Sequence, residues 1–243
     1  MAASAPITVS SLSGAPTTNA TPQLVSSATY TVVVPAVGPV IRVNGYSFAM
    51  GSGFPKTGFS QAQFQYWMNG TSAAGNSDYM FSLSTTTPWV TVNSATGVVK
   101  FTGTPTSSAP VTILITHTQS GVVTVHSIPA LQWYINNGTT TADYYADANS
   151  WCRTKSGYVP PGTLEFRGNM SASTTVIARG PRGGLTPEWG DITATDYTGS
   201  GWVNAYYWVA DAGSSTVLAS AKYGRYHSPA AGEQGSTACV RKF

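Results

Sequence analysis

Apolar and polar positions alternate in short runs over the first half of the chain. Trp89-Val90-Thr91-Val92 is followed by the turn cluster Asn93-Ser94-Ala95-Thr96-Gly97, and Val98 to Thr102 resumes the alternation. A period of two is the mark of a strand with one buried face. Val111 to Thr116 and Val122 to Val125 flank Thr118-Gln119-Ser120-Gly121, which reads as a hairpin loop. Tyr30 to Val34 is rich in β-branched residues and is stopped by Pro35. Short strands punctuated by turns predict an Ig-like β-sandwich over 27–129. It contains no cysteine, so sheet packing alone must hold it. The Ser, Thr, Ala and Pro residues of 1–26 have little to bury and read as a flexible leader.

The pattern changes after Pro129. Asp78 apart, every acidic residue lies beyond it, as do both cysteines. The stretch Thr141 to Cys152 has a helical period, with Tyr144, Ala148, Trp151 and Cys152 on one face. Thr141 or Asp143 is placed to cap its start, and Gly157 follows its end. Ser236 to Arg241 reads as a closing strand. A second unit of helices and strands is therefore expected over 130–243.

Composition narrows the function classes. Charged residues are 9% of the chain, while hydrophobic residues are 42% and aromatics 12%; an average globular protein has roughly 25% charged residues. Enough apolar surface is present to build cores, unlike a disordered chain. A neutral surface rich in hydroxyls and aromatics is common in extracellular β-proteins. The net charge of +3 comes from 12 scattered Lys and Arg, without the basic stripe that nucleic acid requires. No apolar run approaches the ~18 residues of a membrane span, and Met1 to Ala5 lacks the features of an export signal. Cys152 and Cys239 fit one disulfide in an oxidising compartment, or two buried thiols; the extracellular character of the composition favours the bond.

Four motifs in order carry a resemblance. Leu131-Gln132-Trp133-Tyr134-Ile135-Asn136-Asn137-Gly138 with Tyr145-Ala146-Asp147-Ala148-Asn149-Ser150-Trp151-Cys152 comes first, and Gly184-Leu185-Thr186-Pro187-Glu188-Trp189-Gly190-Asp191-Ile192-Thr193 second. Tyr206-Tyr207-Trp208-Val209 and Ala238-Cys239-Val240-Arg241 follow. Together they resemble the lectin-like domain at the tip of intimin- and invasin-type bacterial adhesins. Val43 to Phe48, Gly53 to Phe59 and Val98 to Pro105 are similar to the Ig-like repeat that precedes such tips. Val159-Pro160-Pro161-Gly162-Thr163-Leu164-Glu165 departs from the family pattern, which implies a shifted or shortened second helix. The fold implied is mostly β: an N-terminal Ig-like β-sandwich followed by an α+β C-type-lectin-like domain. A helix tied to the closing strand through Cys152 and Cys239 belongs to that picture.

The resemblance implies binding rather than catalysis, with no cofactor. Its partner is a host cell-surface receptor protein, and the location is the bacterial surface or the medium. The alternative is a secreted exoprotein that engages an intimin-like outer-membrane barrel protein. Carbohydrate stacked on an exposed Trp or Tyr is a further ligand class. The loop from Thr195 to Trp202 is the candidate contact surface, through Asp196, Tyr197 and Trp202. Arg225 and Tyr226 are added because Arg and Tyr are favoured contacts, and Asp211, like Asp196, because the resemblance implies an acidic side chain of the kind integrin-binding members use. Trp202, Tyr207 and Trp208 have the competing role of core residues.

Metal and enzyme readings are weaker. His117 and His126 flank the expected hairpin, without a further ligand nearby. The oxygen-ligand sets of calcium-dependent lectins are missing, and Glu188 with Asp191 reads as a structural turn. His227-Ser228 with Asp211 lacks a nucleophile elbow. Glu165, Glu188 and Asp191 could supply a glycosidase's two carboxylates, but sequence does not set their separation.

Overall fold

The computed structural model describes residues 38–138, 143–168, 176–210 and 216–243. The expected leader and the Tyr30 to Val34 strand lie outside the described residues. The first half contributes β1 (Val40–Val43), β2 (Tyr46–Ala49), β3 (Thr57–Phe59), β4 (Gln63–Trp67), β5 (Tyr79–Leu83), β6 (Val90–Val92), β7 (Val98–Phe101), β8 (Val111–His117) and β9 (Val123–Ile128). The second half adds β10 (Gln132–Asn136), α1 (Tyr145–Arg153), α2 (Thr163–Arg167), α3 (Leu185–Trp189), β11 (Tyr206–Ala210), β12 (Thr216–Ser220), β13 (Tyr226–His227) and β14 (Ala238–Lys242).

Two sheets make the Ig-like sandwich, one in the order β2-β1-β4-β7-β6 and one in the order β5-β8-β9. Alternation decides what meets between them. Phe64 and Tyr66 of β4 face Phe81, Ile113 and Ile115 of the other sheet, and all are buried. Tyr66 stacks on Phe81 with ring centroids 5.6 Å apart. Each such side chain contributes roughly 1.5–3 kcal/mol through burial. The Asn93 carboxamide accepts the N–H groups of Ala95 and Thr96, closing the turn read from sequence. Gly97 ends that turn at φ 67, where an added Cβ would lie 2.8 Å from the Phe81 ring. The β8–β9 hairpin has Thr116 opposite Val123, and the loop between them is the expected one.

The second half is α+β. Strand β10 lies between β14, antiparallel, and β3, parallel, so a strand of the first half enters the sheet of the second. Gly58 permits this approach: an added Cβ would lie 2.9 Å from the Trp133 ring and 3.0 Å from Leu131. A second sheet has the order β11-β12-β13. Cys152 of α1 is bonded to Cys239 of β14, with Cα atoms 5.6 Å apart.

Helix α1 begins later than its period predicts. Ala148 and Cys152 are buried as expected, but Tyr144 is the N-cap and is exposed. Asp143 does not cap the helix; its Oδ2 accepts Asn137 Nδ2 and the Thr237 hydroxyl, holding the chain to the closing strand. Thr141 lies outside the described residues. Helix α2 is short, five residues from Thr163 to Arg167. No helix among the described residues is long and apolar enough to cross a membrane.

Candidate functional site

The densest polar chemistry lies where the two halves meet. Helix α3 is buried and short, entered at Gly184 and ended by Gly190 at φ 75. It directs Glu188 and Trp189 at β3. The Glu188 Oε2 accepts the N–H of Lys56 at 3.0 Å, the N–H of Thr57 at 2.9 Å and the Thr57 hydroxyl at 2.7 Å. Trp189 Nε1 donates to the Thr57 carbonyl at 3.2 Å and to Oγ1 at 3.0 Å. Its ring lies against Phe54, Phe59 and Phe101, with centroids 5.1, 5.6 and 5.8 Å away.

Arg179 ties the same junction from another side. Its guanidinium donates to the carbonyls of Val43 and Asn44 in the first half, and of Pro187 and Glu188 in the second. Asn44 returns the link, its Nδ2 donating to the carbonyls of Trp189 and Asp191. Burial lowers the Arg179 pKa from its ordinary value, with the nearby Tyr197 and Tyr46 acting against that shift. Burial raises the Glu188 carboxyl to about 7, against the Thr57 hydroxyl and the two N–H donors that favour its charge. Three donors on one oxygen make Glu188 a cross-link. The other carboxylate oxygen, Oε1, is buried without a hydrogen-bond partner among the described residues.

The expected contact residues are dispersed. Asp196 is exposed in a 3-10 turn, Thr195–Tyr197. Tyr197 is buried, contrary to its expected role; its hydroxyl donates to the Trp189 carbonyl at 2.9 Å and its ring abuts Phe59. Trp202 is 6% exposed and packs on Tyr207, Phe59 and Phe166. Both expectations are corrected, because the loop folds back on β3 and needs these rings as core. Tyr207 and Trp208 are core as well. Arg225 and Tyr226 are half-buried beside β12. The Arg225 guanidinium lies 4.4 Å from the Tyr223 ring centroid, and that of Arg167 lies 4.2 Å from that of Tyr226. Asp211 lies outside the described residues.

The metal and enzyme candidates have other partners. His126 is buried, its Nδ1 2.6 Å from the Tyr66 hydroxyl and its Nε2 3.1 Å from the Phe54 carbonyl, while His117 Nδ1 faces Ser120. Asp191 Oδ1 accepts the N–H and hydroxyl of Thr193, the structural turn expected of it. Glu165 accepts the Gly162 N–H and pairs with Lys242. His227 pairs with Glu233 at 2.8 Å. No group of three metal-type ligands occurs among the described residues.

Sequence reading missed Arg179, Asn44 and Thr57 as junction residues. Asn44-Gly45 carried a hairpin-turn signal, but none that told what the turn would touch.

An Ig-like sandwich sharing a sheet with an α+β unit through β3 and β10 is the class of two-part architecture this chain presents. Residues 39–128 match the family model described as Invasin, domain 4. The crystal structure of invasin, a bacterial integrin-binding protein, is similar over 85% of this chain with a TM-score of 0.72 and 26% identity. The chain spans 40% of the length of that protein. Both similarities support an affinity with the invasin/intimin-type adhesins.

Proposed function

We propose that this chain is a non-enzymatic adhesin tip that binds a protein receptor on a host cell through its lectin-like half, at the bacterial surface or after secretion. The observation carrying the reading is the structural likeness, over 85% of the chain, to a protein described as integrin-binding. A binding tip transmits force, and the junction is built for that. A shared sheet, a buried carboxylate with three donors and an arginine held by four carbonyls fix one half on the other. The division of the chain near Pro129 into an Ig-like unit and a lectin-like unit is part of this proposal.

Asp196 is the exposed acidic candidate for receptor contact. The test is surface plasmon resonance of the purified chain over immobilised integrin ectodomains and over detergent-solubilised host membrane proteins. A purified intimin-like barrel serves as a third surface. Saturable binding to host protein supports the adhesin. Binding to the barrel alone would replace it with the exoprotein reading, and binding to none of the three would overturn both.

A further inference from the structure

Beside the junction, on the side of Arg179, lies a cavity of about 290 Å³ whose use the cross-link does not explain. Asn44 from the β1–β2 turn, Val176 and Ile177, Asp191 and the pair Lys222 and Tyr223 line it. Both halves of the molecule contribute, so the pocket exists only while the junction is closed. Its aliphatic walls are Val176, 62% exposed, and Ile177. Pockets of this size bury a single side chain or small ligand.

The charges around it are unequal. Asp191 is the one carboxylate of the lining, and its Oδ1 is held by Thr193. Lys222 and Arg225 lie over the Tyr223 ring, 5.2 and 4.4 Å from its centroid. Neither forms an ion pair with a carboxylate among the described residues. The Arg225 Nε is also buried without a hydrogen-bond partner. Arg179 is different, since its donors are engaged by carbonyls. A pocket with aliphatic walls and Lys222 in its lining, with Arg225 on the same Tyr223 ring, is complementary to an apolar side chain next to a carboxylate.

We infer that this cavity is a docking pocket for an acidic-apolar segment of a protein partner, which seats an apolar side chain against Val176 and Ile177 and sets its carboxylate against Lys222. The occupant is a peptide rather than a sugar. A sugar acid would supply the carboxylate but no aliphatic group for the walls of Val176 and Ile177, whereas a peptide supplies both. The inference rests on the adhesin reading for the existence of a protein partner, and it names a surface that reading does not.

The test uses the whole 243-residue chain, labelled with ¹⁵N, and short blocked peptides. One peptide carries an Asp-Leu pair; its controls carry Asn-Leu, Asp-Ser and Lys-Leu, and glucuronic acid is titrated separately. The Asp-Leu peptide is expected to shift the amides of Ile177, Lys222 and Tyr223 and to bind at least ten-fold more tightly than each control. Lys222→Glu and Ile177→Ser are expected to weaken it about ten-fold, with Lys222→Arg retaining it and amide spectra showing each variant folded. Absence of shifts, equal binding by the Asn-Leu or Asp-Ser peptide, or shifts from glucuronic acid alone would each overturn the pocket. The same variants on the receptor surface separate the two ideas. Full receptor capture by Lys222→Glu removes this pocket and leaves the adhesin standing, whereas no capture by the unaltered chain removes the adhesin whatever the peptides do.

Discussion

Glu188 and Thr57, 131 residues apart in sequence, meet through two hydrogen bonds to one carboxylate oxygen, from the Thr57 N–H at 2.9 Å and its hydroxyl at 2.7 Å. The pairing joins the helix of one half to the strand that the other half inserts. It places an ionisable group in a nearly dry setting, where charge is costly unless donors surround it.

A pH dependence follows from that placement. The Glu188 pKa is raised to about 7, chiefly by burial, from an ordinary 4.5. A raised folded-state pKa means that the folded chain holds the proton more tightly. Its stabilising contribution is full below about 4.5 and is lost as pH rises through about 7. Its size is on the order of 3 kcal/mol. Urea unfolding at fixed intervals from pH 5 to 9 is expected to show a falling midpoint in this window, and Glu188→Gln to flatten it. An unchanged slope in the variant would show that Glu188 is not the titrating group.

The sandwich core has the opposite sensitivity. His126 is buried and its pKa is lowered, mainly by desolvation, with the Phe54 carbonyl acting against the shift. Its contribution is present above the ordinary value near 6.5 and is lost as pH falls through the lower folded value. Tyr66→Phe removes the hydroxyl that pairs with His126 Nδ1 and leaves a buried acceptor bare. The expected loss is about 1–3 kcal/mol at pH 8. Urea unfolding of the variant at that pH measures it, and a change within error would show that the hydroxyl is dispensable.

Much of this architecture could be read in advance, and the reasons are local. The 93–97 turn and the β8–β9 hairpin depend on neighbours in sequence, so Asn93, Gly97 and Gly121 announce them. The four motifs of the second half carried its identity because they lie where α1, α3, β11 and β14 form. The junction was not legible. Nothing near Arg179 in sequence says that Val43 and Asn44, about 135 residues earlier, will supply its carbonyls. Contact residues failed for a related reason: Tyr197 and Trp202 sit in a Gly-rich, polar stretch that looks like a surface loop, yet it lies against Phe59. A ring in a loop is a contact or a core residue according to what lies behind it, and that is a tertiary fact.

Those two rings and their exposed neighbour give a clean separation of stability from binding. Trp202→Ala empties a site packed by Tyr207, Phe59 and Phe166 and is expected to cost about 3–5 kcal/mol. Asp196→Ala, at an exposed position, is expected to change stability by less than about 0.5 kcal/mol. Denaturant unfolding checks both, and receptor binding is then read only in the Asp196 variant. A Trp202→Ala protein as stable as the parent would return that ring to the list of contacts.

The disulfide makes the last case. Cys152 and Cys239 are 87 residues apart, so their bond closes most of the second half into one loop. In the chain-entropy model a loop of that size restricts the unfolded state by about 4–5 kcal/mol. Burial of both sulfurs shields the bond from solvent thiols in the folded state. Reduction is therefore expected to require unfolding, so mild reductant should leave the native chain oxidised while reductant with denaturant releases two thiols. The double variant Cys152→Ala, Cys239→Ala is expected to unfold at lower urea with an unchanged sandwich core. The ring of Tyr66 remains stacked on Phe81 far from the bond in sequence, and hydrogen exchange there reads the first half separately. Equal loss of protection in both halves would instead mean that the shared β3–β10 sheet makes them one cooperative unit, with the disulfide stabilising the whole tip.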